Sequence, residues 1–522
     1  MIFKSPYPDI EIPEIAFTDF IFQYAEAHAD KPALIDGPTG RTLTYQQLAG
    51  AIRRVAASLH QRGFKKGDVF AILSPNIPEY AVAFHAPAVL GGIITTINPL
   101  YTADEIAVQL NDCQAKYLVT IPQFVEKAQV AQGKSSIEEI FVFGEAEGTT
   151  PFASLLQSDG QIPSIEINPK EDLIVLPYSS GTTGLPKGVM LTHHNLTANV
   201  LQTLVNADFQ EDDVMIGILP FFHIYGMIVV MNIFLYLKGT VVTMPQFDLE
   251  GFLKIMQDYR ITRAALVPPI ILALAKHPMV DQFDLSSLRQ IFSGAAPLSA
   301  ELQQAVAQRL GCMAVQGYGL TETSPVTHAT PNDPARVKAG SVGPSVPNTE
   351  VRIVDVSTRE DLGPHQEGEI WIRGPQVMKG YLNNPSSTRN MLDEDGWLHT
   401  GDLGYADEDG YLYIVDRLKE LIKYKGMQVA PAELEGVLLT HEAIADAAVI
   451  GVKDEEAGEL PKAFVVLKPN REISAEDVMA FVAERVAPHK KIRRVEFVPQ
   501  IPKSASGKIL RRVLMDKERQ PG

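Results

Sequence analysis

The sequence predicts an α/β protein that has a large N-terminal part of doubly wound sheets, a β-rich subdomain and a small, mobile α+β part at its C-terminal end. Three observations support this fold class. Helical and strand periods alternate from residue 42 onward, short alternating strands follow after about residue 340, and a mixed pattern of helices and strands begins at Pro431. Because alternation of this kind is typical of open sheets covered by helices, we expect ligands to bind beyond the carboxyl ends of the strands.

The first elements have clear local signals. Thr44-Tyr-Gln-Gln47 forms a capping box for a helix that ends at Gly63, and Thr102-Ala-Asp-Glu105 forms a second capping box. Strands are predicted in apolar or β-branched runs, at residues 69–73, 93–97, 117–121, 173–177, 264–268 and 313–316. The last three runs are each followed by glycine, proline or a polar loop, which is the expected place for a binding loop.

The remaining elements belong to the second half of the chain. In the β-rich subdomain we predict strands at residues 350–354, 369–372 and 411–415. The tail should form a helix from Pro431, strands at 447–452 and 463–467, a helix after Ser474, and a strand at 495–498. The charged stretch 416–420 separates the β-rich pattern from the mixed pattern of helices and strands. We therefore predict domains of residues 1–416 and 422–522 joined by a hinge at 417–421.

Composition and charge exclude several classes of protein. The chain has 522 residues, of which 45% are hydrophobic and 21% charged, so disordered, collagen-like and coiled-coil proteins are excluded. A net charge of −17 argues against a nucleic-acid partner, and any anionic ligand must find a local basic site. The two cysteines, Cys113 and Cys312, do not suggest a disulfide framework.

The sequence also bears on location. Residues 1–9 contain prolines and an acid where a signal peptide would be apolar, and the last residues are not a peroxisomal tripeptide. Two uncharged stretches, 80–103 and 215–237, contain proline, histidine and asparagine and are expected to be buried core segments, so we expect no stable membrane span. A cytoplasmic protein is therefore predicted.

The most informative segment is Tyr178-Ser-Ser-Gly-Thr-Thr-Gly-Leu-Pro-Lys-Gly188, which directly follows a predicted strand. Glycines let backbone amides approach phosphate oxygens, and the hydroxyls and Lys187 add further donors. The segment is not a Walker A loop, because Pro186 precedes the lysine. Its composition alone is equally compatible with an ordinary glycine-rich turn.

The full segment resembles the phosphate-binding loop of the adenylate-forming enzymes, which include acyl-CoA synthetases, firefly luciferase and the adenylation domains of peptide synthetases. Further segments agree in the same order, namely Phe221-Phe-His-Ile-Tyr225, Gly317-Tyr-Gly-Leu-Thr-Glu322, Thr400-Gly-Asp-Leu-Gly404, and residues 416–435 with Lys508 beyond them. The likeness covers essentially the whole chain and is closest to the 4-coumarate:CoA ligases and their fatty-acyl and luciferase relatives.

This resemblance implies two half-reactions that use ATP, Mg²⁺ and coenzyme A. The carboxylate of a small acid attacks the α-phosphate of MgATP to form an acyl-adenylate and pyrophosphate, and the thiol of CoA then displaces AMP. Because the first step joins two anions, catalysis must come from positioning and from cations near the developing charge. The partners implied are the acid, ATP and CoA, and the sequence leaves the oligomeric state open.

The resemblance also implies roles for individual residues. Lys508 would bridge the carboxylate and the α-phosphate, His223 would orient the carboxylate, and Lys419 would be the hinge of a domain rotation that brings Lys423 and Gln428 to the thioester step. Glu322 would bind Mg²⁺, as a hard oxygen donor. The residues implied in binding ATP and CoA are Ser179, Ser180, Gly181, Thr182, Thr183, Gly184, Lys187, Ala295, Gln316, Gly317, Tyr318, Thr321, Asp402, Arg417, Lys425 and Gly426.

Without the resemblance, these residues have simpler interpretations. Glu322 could be an acid at a helix N-terminus, Asp402 a turn residue, and His223 a buried core histidine. The run 416–428 could be an exposed charged helix, and most of the basic residues between 487 and 513 could lie on a solvated surface.

The sequence leaves two classes of acid open. The family's acyl pocket maps to Tyr225, Phe292, Ala296, Gly317, Gly319, Pro325 and Val326. Phe292 stands where plant 4-coumarate ligases commonly have a lysine near the phenol end, and an apolar residue there would remove support for a 4-hydroxyl group. We therefore predict a 4-coumarate or cinnamate type of acid first, and a medium- or long-chain fatty acid second.

Other classes of protein remain as alternatives. A luciferase-like oxygenase would share the hinge sequence, and an enzyme that loads a carrier protein would share the adenylation site. A non-catalytic adenylate-binding protein is disfavoured by the presence of Lys187, Glu322, Asp402, Arg417 and Lys508 together.

Overall fold

A computed structural model describes residues 1–179, 186–425, 427–454, 456–504 and 507–519. Within these residues the strands before the predicted hinge are β1 (Ile2–Lys4), β2 (Pro32–Asp36), β3 (Thr42–Thr44), β4 (Val69–Leu73), β5 (Ile93–Thr96), β6 (Ala115–Thr120), β7 (Glu139–Val142), β8 (Thr150–Pro151), β9 (Leu173–Ser179), β10 (Lys187–Thr192), β11 (Val214–Gly217), β12 (Thr240–Thr243), β13 (Arg263–Leu266), β14 (Gln290–Ser293), β15 (Met313–Gly319), β16 (Val326–Ala329), β17 (Glu350–Val354), β18 (Gly368–Arg373), β19 (Gly380–Tyr381), β20 (Leu398–Ala406) and β21 (Leu412–Arg417). The strands after it are β22 (Ile422–Tyr424), β23 (Met427–Val429), β24 (Ile444–Asp454), β25 (Gly458–Leu467) and β26 (Arg494–Phe497).

Helices cover the sheets. The α-helices of the described chain are α1 (Phe17–Phe22), α2 (Tyr45–Gln61), α3 (Glu79–Val89), α4 (Ala103–Asp112), α5 (Val125–Gln132), α6 (His193–Ala207), α7 (Ile233–Leu237), α8 (Leu249–Asp258), α9 (Pro268–Lys276), α10 (Ala300–Leu310), α11 (Pro385–Met391), α12 (Pro431–Leu439), α13 (Ala475–Ala483) and α14 (Arg511–Arg519). A π-helical segment, Gly226–Asn232, leads directly into α7. None of the described helices combines the length and the apolar character needed to cross a bilayer.

The predicted fold class is confirmed. Two eight-stranded sheets form the large part of the described chain, with strand orders β19-β10-β9-β5-β4-β6-β7-β8 and β16-β15-β14-β13-β11-β12-β2-β3. Their central strands are parallel, and helices pack between them, as expected for a doubly wound arrangement. The β-rich subdomain is the sheet β1-β17-β18-β20-β21, and β22 to β26 form the small C-terminal sheet.

Local signals correctly locate α2 and α4. Thr44 and Thr102 each accept a hydrogen bond from the third residue of the following helix, and the glutamine or glutamate there caps the threonine amide in return. The strand predicted at 264–268 is shorter than expected. It ends at Leu266 because Pro268 begins α9, where a proline fits the first turn of a helix.

The main core draws on both eight-stranded sheets. It contains fully buried aromatic side chains from strands, helices and loops, including Phe70, Phe84, Phe221 and Phe234. Most of the two uncharged stretches found in the sequence contributes to it, through α3 with β5 and through β11 with the helix that ends at Leu237. Pro87 lies inside α3, and Asn232 ends the π-helical segment before α7, so neither stretch forms a single uninterrupted apolar helix.

The two parts of the chain meet near residue 417. β21 ends at Arg417 in the β-rich sheet, and β22 begins at Ile422 in the small sheet. A turn lies between them, in which the amide of Leu421 donates to the carbonyl of Arg417. The domain limits 1–416, 417–421 and 422–522 stay a prediction.

Candidate active site

The candidate site lies beyond the carboxyl ends of β13, β14 and β15. In this sheet β11 is flanked by β12 on one side and by β13, β14 and β15 on the other, so the chain reverses its direction of travel across the sheet at β11. Reversals of this kind open a crevice at the carboxyl ends of the strands. The loop of Lys508 reaches this edge, because a Cβ atom on Gly507 would lie 3.3 Å from the Cβ atom of Val267, directly after β13.

An acidic side chain beside β15 is fixed by a tyrosine and a cation. The phenol of Tyr318 donates to Asp402 Oδ2 over 2.7 Å, and Arg417 Nε lies 3.2 Å from Asp402 Oδ1. Asp402 and Arg417 are directly opposite residues of β20 and β21, so the sheet register itself creates the pair. Burial raises the pKa of the Asp402 carboxyl, and the neighbouring guanidinium opposes that rise.

A second carboxylate lies after the end of β15. Glu322 is buried, and its Oε1 atom accepts hydrogen bonds from Ser179 Oγ at 3.0 Å and from the phenol of Tyr381 at 2.7 Å. The ammonium group of Lys187 lies 5.1 Å from the centroid of the Tyr381 ring. The two ends of the glycine-rich segment are thereby brought to Glu322. Its residues Ser180, Gly181, Thr182, Thr183 and Gly184 lie outside the described chain.

Several residues predicted for the acyl pocket contact one another, in two groups: Tyr225 and Gly317 contact Phe292, and Gly319 contacts Pro325. Tyr225 donates its phenolic hydrogen to the carbonyl of Phe292 over 2.9 Å, and both rings are buried. A Cβ atom on Gly317 would lie 2.9 Å from the Phe292 ring, and one on Gly319 would lie 1.9 Å from the carbonyl oxygen of Pro325. Side chains at these two glycines would therefore collide with Phe292 and with Pro325, respectively.

The other predicted residues of this region have less direct contacts. Val326 is buried, and its amide donates to Asn199 Oδ1 over 3.0 Å. Gln316 is held by the backbone of Leu298, to which its side-chain amide donates over 3.1 Å. Ala295 has a φ of +68°, which is unusual for a residue other than glycine, and it is exposed beside the half-buried Ala296. Thr321 begins the short turn that carries Glu322.

Two titratable groups of the candidate site, His223 and Lys508, influence each other electrostatically. His223 is half-buried two residues before Tyr225, and its Nδ1 atom accepts the amide hydrogen of Tyr225 at 3.3 Å. Burial, and then the positive charge of Lys508, lower the pKa of His223 to about 4. Burial and then the positive charge of Arg417 lower the pKa of Lys508 to about 8. His223 is therefore neutral near pH 7, and Lys508 is mostly protonated.

The residues predicted for the thioester step lie on the small sheet and point to solvent. Lys423 and Gln428 are exposed on paired positions of the β22–β23 hairpin. Lys425 is exposed and forms a 3.1 Å ion pair with Glu456, and Lys419 is exposed in the turn between the two parts. Gly426 lies outside the described chain. By contrast, the loop of Lys508 lies at the edge of the large sheet, and the charge of Asp402 acts on the Lys508 ammonium group.

Sequence reasoning missed two contributors to the site. Tyr381 holds Glu322, but it belongs to a two-residue strand 59 positions away in the sequence, and no local pattern indicates it. Glu420 forms an ion pair with Arg511, and a charged run gives no sign of such a long-range partner. A search for carboxylates close to the hinge lysine could have suggested Glu420.

The fold and the site together define a class of protein, namely a two-part α/β enzyme that binds a nucleotide beyond the ends of parallel strands. Comparisons with known proteins agree with this class. Residues 21–382 match the AMP-binding enzyme family, and residues 433–508 match the AMP-binding enzyme C-terminal domain. The chain is 46% identical to 4-coumarate–CoA ligase 1 of Petroselinum crispum, over 98% of this chain and 96% of that protein.

Solved structures give the same result. ATP-bound MatB from Rhodopseudomonas palustris matches with a TM-score of 0.89 and 29% identity, covering 97% of this chain and 99% of that chain. The anthranilate CoA ligase AuaEII in complex with anthranoyl-AMP matches with a TM-score of 0.89 and 27% identity, over 97% and 98% of the two chains. The chain belongs to the AMP-binding, adenylate-forming enzyme family, and it is an AMP-forming acid–thiol ligase.

Proposed function

We propose that this protein joins an aryl carboxylic acid of the 4-coumarate type to coenzyme A, with ATP as the energy source and an acyl-adenylate as the intermediate. One observation supports this function above the others. The loop of Lys508 reaches the edge of the sheet at Val267, and the charge of Lys508 interacts with the Asp402–Arg417 pair and with His223, which lies two residues before Tyr225. Nucleotide and acid would therefore meet at the lysine.

In the first half-reaction, the acid carboxylate attacks the α-phosphate of ATP, and pyrophosphate leaves. The protonated Lys508 would contact both the carboxylate and the α-phosphate and so reduce the repulsion between the two anions. Asp402 would accept hydrogen bonds from the ribose hydroxyls, while Tyr318 and Arg417 fix its two oxygens. Neutral His223 would orient the carboxylate without adding a charge to it.

Mg²⁺ would be bound at Glu322. Mg²⁺ commonly takes one or two protein carboxylates and completes its shell with phosphate and water oxygens. Glu322 fits this pattern, since it is a buried carboxylate held by Ser179 and Tyr381 near Lys187, and among the described residues there is no cluster of three or more metal-ligating side chains. When bound, the ion would neutralise charge on the phosphates.

In the second half-reaction, the CoA thiolate displaces AMP from the acyl-adenylate. Lys423, Lys425 and Gln428 are proposed to serve this step, together with Gly426. Since they are exposed on the small sheet while Lys508 is at the site, the step requires a rotation of the small part about Lys419. The domain limits given above define the parts that would move.

The acyl pocket favours a flat acid but also permits an alkyl chain. Phe292 closes on Gly317 and leaves an apolar surface, which suits an aromatic ring. Because Phe292 offers no polar side-chain group to a 4-hydroxyl, the same surface is compatible with a medium-chain fatty acid, and this is the second candidate.

The substrate class is tested by measuring CoA-dependent AMP release with MgATP and cinnamate, 4-coumarate, octanoate or palmitate, with the thioester product identified by mass. We expect the highest kcat/KM with one of the two aryl acids. Highest activity with octanoate or palmitate would contradict the aryl assignment, and AMP release without thioester formation would contradict the CoA assignment.

A substitution of Phe292 tests the proposed location of the acyl pocket. Phe292→Ala should lower kcat/KM for cinnamate by about 10-fold or more, because it removes a ring that contacts the acid, and should favour bulkier ring-substituted acids. The change is expected mainly in KM. Tyr24→Ala, at a tyrosine that is 75% exposed, is the control and should leave the ranking of acids unchanged. An unchanged ranking in Phe292→Ala would contradict the location of the pocket.

The pH dependence of adenylation follows from Lys508. The lysine must be protonated to contact two anions, and its pKa is lowered to about 8, so adenylation should fall as the pH rises through this value. His223, with a pKa lowered to about 4, should add no transition between pH 6 and pH 8. Measuring acid-dependent ATP–pyrophosphate exchange against pH checks both, and a rate that stays constant to pH 10 would contradict the role of Lys508.

A further inference from the structure

A buried ionic cluster joins the turn after β21 to α14 and α12. Arg511, the first residue of α14, is 9% exposed. Its guanidinium forms an ion pair with Glu420, donates to both oxygens of Glu435 at 2.8 Å and 2.7 Å, and donates to the carbonyl of Val449 at 3.2 Å. We refer to Glu420, Arg511 and Glu435 as the Arg511 cluster.

The Arg511 cluster is firmly built. Glu420 and Glu435 are 12% and 10% exposed as side chains, and Glu435 Oε1 also accepts the amide hydrogen of Val449 at 2.8 Å. An arginine fork that binds two carboxylates at once has a defined position and orientation. These bonds therefore hold the start of α14 in a defined position relative to α12 and β24.

Lys508 lies close to Arg511 along the chain. It precedes Arg511 by three residues, and its own loop is closed by short-range bonds, from the Lys508 amide to Ser504 Oγ at 3.1 Å and from the Leu510 amide to the Pro502 carbonyl at 2.8 Å. Because Arg511 is bonded to Val449 of β24 and follows Lys508 by only three residues, its position limits how far the lysine can extend toward β13. A shift of about 1 Å at a reacting group is enough to cost about 10²-fold in rate.

Glu420 also acts on Lys508 electrostatically. It follows Lys419 at the predicted hinge, and its negative charge favours protonated Lys508, as does that of Asp402. The positive charges of Arg417 and Arg511 act in the opposite direction, and the charge of Lys508 in turn acts on His223. Glu420 thus contacts the anchor of the lysine and also contributes to its electrostatic environment.

We propose that the Arg511 cluster is a positioning device that holds Lys508 against the Asp402–Arg417 pair during adenylation. The inference rests on the role proposed for Lys508 above. Arg511 and Glu435 lie in the predicted part 422–522 and would move together with Lys508 when the small part rotates, while Glu420 lies in the predicted hinge and ties the hinge to Arg511. The cluster should therefore matter for adenylate formation and should have little effect on the CoA step.

The test separates the two half-reactions in three variants of the full chain. Adenylation is measured as ATP–pyrophosphate exchange with 4-coumarate, and the CoA step is measured from synthetic 4-coumaroyl-AMP and CoA. Arg511→Lys keeps the charge but loses the fork, and Glu420→Gln keeps an acceptor but loses the charge. Lys517→Gln is the control. It removes an exposed cation that lies on α14, as Arg511 does, but pairs with Glu496 of β26.

We expect Arg511→Lys and Glu420→Gln to lower adenylation by about 10- to 100-fold while the CoA step is nearly unchanged, and Lys517→Gln to change neither. Glu420→Gln should also move the alkaline limb of the adenylation profile to lower pH, whereas Arg511→Lys should not. A purely structural role would lower both half-reactions together and leave the pH limb in place.

Three results would overturn the inference. They are equal losses in both half-reactions, unchanged adenylation in both cluster variants, and an alkaline limb that does not move in Glu420→Gln. Each of these results counts against the inference only when the wild-type protein shows acid-dependent exchange. If the wild type itself shows no acid-dependent exchange with any acid, the proposed function fails, and the inference fails with it.

Discussion

Replacing Lys508 with alanine should lower the rate of adenylate formation by about 10²- to 10³-fold, the usual cost of removing a preorganised donor to developing charge. The physical reason is the position of Lys508, because its loop reaches the edge of the sheet at Val267 and its charge interacts with those of Asp402 and Arg417 and with His223. Thioester formation from supplied acyl-adenylate and CoA should be nearly unchanged, because other residues are proposed to serve that step. ATP–pyrophosphate exchange and single-turnover thioester formation measure the two steps separately.

The matched control for this variant is Lys503→Ala. Lys503 lies in the same loop region and forms a 2.6 Å ion pair with Asp446, so its removal deletes a cation without reaching the candidate site. We expect both half-reactions to be close to those of the wild type. Equal losses in Lys508→Ala and Lys503→Ala would show that only the general charge of this region matters, and would contradict a specific role for Lys508.

Replacing Glu322 with glutamine should lower adenylation by about 10²-fold or more and raise the Mg²⁺ concentration needed for half-maximal rate. The substitution preserves the size of the side chain and leaves a carbonyl oxygen that can accept from Ser179 and Tyr381, so the local structure should persist. What is lost is the negative charge that a hard divalent cation requires. Rates are measured as ATP–pyrophosphate exchange over a series of Mg²⁺ concentrations.

Tyr381→Phe is the informative comparison for Glu322→Gln. It removes only the 2.7 Å hydrogen bond that orients the carboxylate, and groups that orient a metal ligand usually contribute about 10- to 100-fold. We therefore expect a smaller loss, with the same direction of change in the Mg²⁺ requirement. If Glu322→Gln lowered the rate without any change in Mg²⁺ dependence, the carboxylate would not be the metal ligand.

Local features of the fold could be predicted from the sequence. The capping boxes at Thr44 and Thr102 and the proline start at Pro431 depend on residues within one helical turn, so their signals survive without tertiary information. Strands were located well where apolar runs are bounded by glycine or proline. The strand predicted at 313–316 is too short, because β15 continues through the glycines to Gly319 by pairing with β16.

Contacts between distant parts of the chain could not be predicted in the same way. The family resemblance points to Asp402 and Arg417 individually, but their pairing depends on the register of β20 and β21. Tyr381 reaches Glu322 through β19, which pairs with β10, and no sequence pattern specifies that pairing. The contact of Arg511 with Glu420 likewise depends on how α14 packs on the small sheet.

The most direct test of the account is to mix the protein with MgATP and 4-coumarate in the absence of CoA, quench the reaction, and look for enzyme-bound 4-coumaroyl-AMP by mass. We predict that the adenylate accumulates together with pyrophosphate, and that adding CoA converts it to 4-coumaroyl-CoA and AMP faster than fresh adenylate can form. Formation of the thioester with ADP and phosphate, or without any adenylate that CoA can consume, would contradict an AMP-forming ligase mechanism.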